Sequence, residues 1–348
     1  MRRQLFFAIP GDLATPTGGY GYDRRLIEEL RKLGWTTRVV ALPAAYPFPS
    51  PRDEEAAGSA LAVVPDDGLV MIDGLAFGAM ADIAAREAER LRLVALVHHP
   101  LADETGRSAD ETAAFERSER QALRHARAVI CTSRATARRL EDGFGVEPGR
   151  ITVAPPGTER KPRAPRRGDP PVLLALGALV PRKGHDVLVE ALAALADLDW
   201  RARFAGPDDR DERWTAHLKG LAERHGLAGR IEFPGAVEDG GRELARADIF
   251  VLASRHEGYG MAFAEALAHG LPVVACRAGA VPDLVPEAAG ALVPPDDPGA
   301  LAEALRRLLN DPVRRRDAAD AAWRAGQALP AWDETALLVD KVLKGIAS

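Results

Sequence analysis

Short apolar runs alternate with longer amphipathic segments along the chain. In the first half the apolar runs are four to six residues long, which is typical of strands buried on both faces of a parallel sheet. These predicted strands are 5–9, 37–42, 68–72, 93–97, 128–132 and 151–154. The segments between them predict helices over 23–33, 76–91, 111–125 and 135–140. In the first of these helices, Leu26, Ile27, Leu30 and Leu33 share one face.

The same alternation restarts after a charged, proline-rich and aperiodic stretch. The strands predicted there are 172–177, 201–206, 230–235, 248–253 and 272–276. The predicted helices are 186–195, 214–225, 242–246, 261–269, 299–309 and a last amphipathic helix, 332–346. Alternating strands and helices predict an α/β protein with two doubly wound parallel sheets. The domains are therefore predicted as 1–160 and 172–328, with a linker 161–171 and a terminal helix within 329–348.

Composition narrows the class of protein. The 348 residues are 47% hydrophobic, enough for two well-filled cores, and the net charge of −5 gives no electrostatic support for bulk nucleic-acid binding. Cys131 and Cys276 form neither a metal-ligand spacing nor a disulfide framework, which fits a reducing cytoplasm. The first apolar run is too short for a signal segment, and no run approaches the ~20 residues that span a bilayer. We expect a cytoplasmic protein whose membrane contact, if any, is peripheral at the inner face.

Candidate chemistry lies where strands end. Glycines follow the first strand at Gly18, Gly19 and Gly21, but they do not form the G-x-G-x-x-G fingerprint of dinucleotide binding, so an NAD site is disfavoured. His98 and His99 end another strand, and adjacent side chains there point apart, which argues against a metal site.

The stretch 254–266 predicts a strand, a glycine-bearing turn and a helix, with Glu257 in the turn and Glu265 inside the helix. Free N–H groups at the start of such a helix form an anion site, so two flanking carboxylates suggest a ligand that carries both phosphates and hydroxyls. Arg182 and Lys183 precede another helix, where cations can hold phosphates. The alternatives are a solvated basic turn and a pair of ordinary surface glutamates.

These motifs carry a resemblance to a known family. EGYGMAFAE, from Glu257 to Glu265, resembles the E-x7-E signature of the family 4 retaining glycosyltransferases. LGALVPRKGHD at 176–186 resembles that family's G-R-x-x-x-x-K-G loop, and IEFPG at 231–235 its strand before the nucleobase-binding loop. TGGYG and VHHP are similar to its glycine-rich loop and its strand-end histidine. The likeness covers nearly the whole chain, in the same order.

The resemblance implies a GT-B fold, in which two Rossmann-like domains face each other across a cleft. The acceptor-binding domain would be 1–160, the nucleotide-sugar-binding domain 172–328, and the terminal helix would cross back to the first domain. Among the donor-binding residues, Glu265 would bind the ribose hydroxyls and Glu257 the sugar hydroxyls. The backbone groups assisting Glu257 would be those of Gly258, Tyr259, Gly260 and Met261.

The catalytic set implied by the resemblance is His98, Glu257, Lys183 and Arg182. Lys183 and Arg182 would clamp the diphosphate, Gly19 would approach it from the first domain, and His98 would contact the sugar near the reacting carbon. The family's usual arginine is Ala178 here, so either Arg182 replaces that charge or the clamp relies on Lys183.

The reaction implied is transfer from a UDP- or GDP-type sugar to a sugar, lipid or small-molecule hydroxyl, with retention and without a metal or cofactor. A covalent role for Glu257 is the less favoured mechanism, because hydroxyl recognition already explains its place in the turn. The alternatives are a nucleotide-sugar epimerase or phosphorylase of the same architecture, and a non-catalytic nucleotide-sugar-binding partner. Asp209 and Asp211 favour a solvated loop over a metal site, and loops 44–57 and 101–110 are expected to set acceptor choice.

Overall fold

The computed structural model describes residues 3–347, and its chain divides into two units. Unit 1 consists of Met1–Gly157 together with Pro330–Ser348, and unit 2 is Thr158–Leu329. The predicted linker 161–171 packs on unit 2 rather than standing apart, since the Ala164 N–H donates to the His269 carbonyl at 2.9 Å. None of the helices within 3–347 is both long and apolar enough to cross a membrane.

The described part of unit 1 contains a parallel sheet of six strands in the order β2-β1-β3-β4-β5-β6. Its strands are β1 Arg3–Pro10, β2 Trp35–Leu42, β3 Leu69–Asp73, β4 Arg92–Val97, β5 Ala128–Cys131 and β6 Ile151–Val153. Its helices are α1 Gly18–Lys32, α2 Pro51–Ala62, α3 Gly74–Phe77, α4 Ala81–Glu87, α5 Ala109–Arg124, α6 Arg134–Phe144 and α14 Trp332–Ala347. Every residue of β3 and β5 is buried, as expected for strands with helices on both faces of the sheet.

Helix α14 completes unit 1 although it comes last in the chain. The Thr335 hydroxyl donates to the Pro155 carbonyl at 2.7 Å, and the indole N–H of Trp35 donates to Asp340 at 2.8 Å. A Cβ at Gly157 would overlap with the backbone of Trp332, so only glycine permits this approach.

Unit 2 repeats the architecture with the strand order β12-β11-β10-β7-β8-β9, all parallel. Its strands are β7 Val172–Leu176, β8 Arg201–Ala205, β9 Ile231–Gly235, β10 Ile249–Leu252, β11 Val273–Cys276 and β12 Gly290–Val293. Its helices are α7 His185–Ala193, α8 Glu212–Arg224, α9 Gly240–Arg246, α10 Met261–Ala268, α11 Val281–Leu284, α12 Pro298–Asn310 and α13 Pro312–Ala328. The predicted α/β class with two doubly wound sheets is confirmed.

Several predicted boundaries in unit 1 are wrong. Helix α1 begins at Gly18 instead of 23, because the Thr17 hydroxyl accepts from the Tyr20 N–H at 3.1 Å and caps it. The predicted glycine loop is therefore the first turn of a helix. The predicted loop 44–57 includes the start of α2, where Ser50 and Asp53 form a capping box. The predicted helix 76–91 is divided into α3 and α4.

In unit 2, β12 and α13 were not predicted from the sequence, and the start of α11 was predicted as part of a loop. The buried residues of α13 are small: Ala318, Ala319, Ala321, Ala322 and Gly326. Such a face gives a weak hydrophobic periodicity, which is why the helix was not predicted.

Candidate functional site

The turn between β10 and α10 places Glu257 inside unit 2. Its side chain is only 7% exposed, so the alternative of an ordinary surface glutamate is wrong for this residue. The Ser254 hydroxyl donates to Glu257 Oε1 at 2.6 Å, and Lys183 Nζ donates to the same oxygen at 2.7 Å. Two donors therefore converge on one carboxylate oxygen.

Close backbone packing fixes this turn. Gly184 has φ +64°, and a Cβ there would overlap with the carbonyl of Ala253 at the end of β10. Gly279 has φ +55°, and a Cβ there would overlap with the carbonyl of Glu257. That carbonyl also accepts from the Ala280 N–H at 2.9 Å. The loops after β7 and β11 thus hold the Glu257 turn from two directions.

Both predicted cations of unit 2 lie beside Glu257. They belong to the 3₁₀ turn Pro181–Lys183, which precedes α7. Arg182 donates to the His256 carbonyl at 3.0 Å, and its guanidinium lies 3.9 Å from Glu257 Oε2. Burial by itself would raise the pKa of Glu257, but Lys183 and Arg182 outweigh it and lower that pKa. Glu257 is therefore a carboxylate at neutral pH, held by two cations.

Helix α10 begins next to this charge cluster. Gly260 is its N-cap, with φ +97°, and no side chain of the described chain caps the helix through a hydrogen bond. The Phe263 N–H already donates to the Gly260 carbonyl at 3.0 Å, so the N–H groups at the helix start that are available to a ligand are those of Met261 and Ala262. Gly258 and Tyr259 form the preceding turn, and burial raises the pKa of Tyr259 to about 12.

Glu265 lies within α10, close to Glu159 and Lys161, whose proximity was not predicted from the sequence. Burial raises its pKa to about 7; Glu159 adds to this effect and Lys161 opposes it. Lys161 Nζ is 2.7 Å from Glu159 Oε2. The link between these residues is long-range, and neither periodicity nor motif spacing indicates it.

Ala178 lies in the loop between β7 and the Pro181–Lys183 turn, and its carbonyl accepts from the Val180 N–H at 2.9 Å. Its methyl group supplies no charge. The cations paired with Glu257 within the described chain are Lys183 and Arg182.

In unit 1 the structure brings His98 and Gly19 together. His98 follows β4, and a Cβ at Gly19 would lie 3.2 Å from the Cδ2 atom of His98. His98 Nε2 lies 3.1 Å from Asp23 Oδ1 and 3.5 Å from Asp73 Oδ2. Neither aspartate was predicted from the sequence as a site residue. The strand pattern could have indicated Asp73, because Asp73 ends β3 and His98 follows β4, and these two parallel strands are neighbours.

The adjacent histidine has another partner, Glu104, whose Oε2 is 3.4 Å from His99 Nε2. The ligand atoms of Asp23, Asp73 and His98 lie within 4.8 Å of one another, a spacing that a divalent cation could also bridge. The Asp-x-Asp turn has a structural role, because Asp211 caps α8 by accepting from the Trp214 N–H at 2.9 Å.

Each half of the chain matches the model of a known protein family. Residues 22–161 match the family model "Glycosyltransferase Family 4", and residues 170–311 match the model "Glycosyl transferases group 1". The D-inositol 3-phosphate glycosyltransferase of Thermomonospora curvata is 30% identical over 253 residues, or 65% of this chain and 58% of that protein. The chain thus spans about three fifths of that relative's length.

A second relative is the GDP-mannose-dependent monoacylated alpha-(1-6)-phosphatidylinositol monomannoside mannosyltransferase of Corynebacterium glutamicum. It is 30% identical over 285 residues, which cover 73% of this chain and 71% of that protein. Sucrose-phosphate synthase from Thermosynechococcus elongatus shares the fold with a TM-score of 0.82 at 24% identity, covering 99% of both chains. Anabaena HepE, solved in complex with UDP-glucose, shares it with a TM-score of 0.78 at 19% identity, covering 98% of this chain and 99% of that one.

Proposed function

The chain belongs to glycosyltransferase family 4, and from this we propose that it transfers a sugar from a nucleoside-diphosphate sugar to a hydroxyl acceptor, with retention and without a metal. The observation that supports the proposal most strongly is the cluster of Lys183, Arg182 and Glu257 in unit 2. It joins two cations, a buried carboxylate and the start of α10.

Departure of a nucleoside diphosphate places negative charge on its phosphate oxygens. Lys183 and Arg182 can stabilise that charge, as can the N–H groups of Met261 and Ala262 at the start of α10. In the proposal this fixed positive potential replaces a divalent cation. Ala178 stands where the family usually has an arginine. In the proposal Arg182 supplies that charge, since its guanidinium lies within 4 Å of Glu257, the carboxylate that Lys183 also contacts.

Glu257 is proposed to bind donor-sugar hydroxyls rather than to attack the anomeric carbon. Its Oε1 atom already accepts from Ser254 and Lys183, and this engagement weakens an oxygen as a nucleophile. The Ser254 and Lys183 contacts also fix the rotamer of Glu257, as hydroxyl recognition requires. Glu265, which lies inside the helix α10 that follows the Glu257 turn, is proposed to bind the ribose hydroxyls.

Gly19 and His98 are proposed to supply the contacts of unit 1 to the donor. A glycine at position 19 lets a ligand approach the first turn of α1 beside the His98 ring. The base of the donor is proposed to be uracil or guanine, because the Anabaena protein was solved with UDP-glucose and the Corynebacterium enzyme is named for GDP-mannose. A peripheral contact with a membrane is proposed only for the case of a lipid acceptor.

The test begins with a panel of UDP- and GDP-sugars, screened by thermal shift, since a donor at 100-fold its dissociation constant stabilises the protein by ~2.7 kcal/mol. Release of nucleoside diphosphate in EDTA is then measured with candidate acceptors, and proton NMR of the product gives the anomeric configuration. We expect transfer with retention in EDTA. Inversion or a strict metal requirement would contradict those parts of the proposal, and epimerisation without transfer would contradict all of it.

Lys183→Met separates the proposed site from general effects of removing a lysine. The matched control is Lys219→Met, which removes a half-exposed lysine of the same unit, 3.6 Å from Asp208. We expect Lys183→Met to abolish transfer and Lys219→Met to retain it. Equal activity of the two variants would refute the role assigned to Lys183.

A further inference from the structure

Two aspartates of unit 1 lie close to one imidazole nitrogen, and the three side chains together form a charge cluster. Asp23 lies on α1, Asp73 ends β3 and His98 follows β4. Both aspartates are buried, whereas the side chain of His98 is 20% exposed. His98 Nε2 is 3.1 Å from Asp23 and 3.5 Å from Asp73. The ring is therefore held at Nε2, and about a fifth of the side chain remains exposed.

The two aspartates favour a positive charge on His98. Asp73 Oδ1 accepts from the Leu75 N–H at 2.7 Å, where it caps α3, and its Oδ2 faces His98. Asp23 Oδ2 is buried without a hydrogen-bond partner among the described residues. Two carboxylates in a low-dielectric interior are stabilised by a nearby cation, and within the described chain the basic group in reach is the imidazole of His98.

The protonation state of His98 decides what its second nitrogen presents. A neutral ring that donates from Nε2 has a lone pair at Nδ1, which accepts hydrogen bonds, whereas an imidazolium donates from both nitrogens. Within residues 3–347, Nδ1 makes no hydrogen bond, so it is the nitrogen open to a ligand. One aspartate would be enough to orient the ring; two converging on Nε2 also favour the charged form.

We propose that Asp23 and Asp73 are positioning residues that keep His98 as an imidazolium, so that its Nδ1–H donates to a hydroxyl oxygen of the ligand. The proposal refines the proposed function, on which it rests for the identity of the ligand as a sugar. It assigns His98 the role of a hydrogen-bond donor, not of an acceptor or a base.

The groups that contact the His98 ring all bear on its charge. Burial alone would lower the pKa of His98, but the charge and hydrogen bonds of Asp23, together with those of Asp73, raise it. Burial raises the pKa of Asp23 to about 7; the charge of His98 opposes that shift, and Asp73 adds to it. Tyr22, whose ring centroid is 5.3 Å from that of His98, has a pKa raised by burial and donates to the Ala154 carbonyl, so it stays neutral. Directly after β5, the Thr132 hydroxyl donates to the His98 carbonyl at 3.0 Å.

The test measures the charge of His98 directly. In the full-length protein, the imidazole carbon and nitrogen shifts are followed from pH 5.5 to 9 and assigned through His98→Gln. We expect the wild-type ring to stay charged at pH 8, and Asp23→Asn to make it titrate near the ordinary value of about 6.5. Asp73→Asn, which keeps an oxygen for the α3 cap, should shift the titration in the same direction. A neutral wild-type ring at pH 7 would overturn the proposal, whether or not the protein transfers sugar.

Steady-state kinetics then tests what the charge does. Removing a carboxylate lowers the pKa of His98, so the donor form is lost as pH rises. We expect kcat/KM of Asp23→Asn to fall about tenfold or more between pH 6 and pH 8 relative to wild type.

The matched control is Asp340→Asn, a buried aspartate bound to Trp35 at the opposite edge of the same sheet. It should leave the pH profile unchanged. A flat profile in Asp23→Asn, or the same slope in Asp340→Asn, would refute a positioning role. Loss of wild-type activity in EDTA that Mn²⁺ restores, but not in Asp23→Asn, would refute it in favour of a metal site at this cluster.

Discussion

His185 makes the stability of unit 2 depend on pH in a way that can be calculated. It is the first residue of α7, its side chain is 0% exposed, and neither ring nitrogen has a hydrogen-bond partner among the described residues. The ring of Phe204 lies against it, with 5.3 Å between centroids. Burial, reinforced by the charge of Lys183, lowers the pKa of His185 from 6.5 to about 3.

The sign of the effect follows from proton binding. Below pH 6.5 the unfolded chain binds a proton at His185, whereas the folded chain does so only near pH 3. Stability is therefore lost as pH falls below 6.5. From pH 8 to pH 5 this one histidine costs about 2 kcal/mol, since ~1.5 pH units are traversed at about 1.4 kcal/mol each.

His185→Leu removes the titration and keeps a side chain of similar volume. Urea unfolding of both proteins, followed by far-UV circular dichroism at pH 8 and pH 5, gives four free energies of unfolding. Their double difference isolates His185 from the other titrating groups, and it should be about 2 kcal/mol in favour of the variant at pH 5.

The control is His217→Gln, an exposed histidine of the same unit, with an expected double difference within ~0.5 kcal/mol. A value this small for His185→Leu would refute the assignment of His185 as a buried neutral base.

Three further predictions concern the carboxylates and the packing. Glu265→Ala should raise the donor KM with little change in kcat, whereas Glu257→Ala should mainly lower kcat; steady-state kinetics with the reverse pattern would contradict the two roles. Gly184→Ala should lower the free energy of unfolding by more than ~1 kcal/mol, because φ is +64° and the new methyl group overlaps a carbonyl; an unchanged urea midpoint would contradict this. Trp35→Phe removes the hydrogen bond to the buried Asp340 and should lower the free energy of unfolding by ~1–3 kcal/mol, measured as a lower Tm.

The sheets and the Glu257 turn were predictable because their signals are local. A buried parallel strand is a short apolar run, and a strand followed by glycines and a helix start needs only a dozen residues to recognise. Glu257, Arg182 and Lys183 were each found in this way, and the structure brings them together. Their convergence follows from the parallel sheet, since the loops after β7 and β10 leave neighbouring strands at the same edge.

What could not be predicted depends on contacts between distant parts of the chain or on weak periodicity. Asp23 and Asp73 are unremarkable in the sequence and acquire a partner only when three elements meet at His98. Lys161 lies in the predicted linker, and it comes close to Glu265 only in the folded unit. Helix α13 buries alanines and a glycine, so its packing depends on close backbone approach rather than on large apolar side chains; a Cβ at Gly326 would overlap with the backbone of α10.

The assignment of α14 to unit 1 has a consequence for how the chain is made. Unit 2 is one continuous segment, whereas unit 1 is assembled from two segments that flank it. On a ribosome that adds about 5–20 residues per second, the first segment of unit 1 emerges and then waits for roughly 10–30 s while all of unit 2 is synthesised. During that time Tyr22 lacks the ring of Trp332, which packs 5.6 Å from it in the finished protein. We therefore expect the incomplete first segment to bind chaperones during synthesis. A circular permutant that begins at Pro330 would supply α14 first and remove the delay.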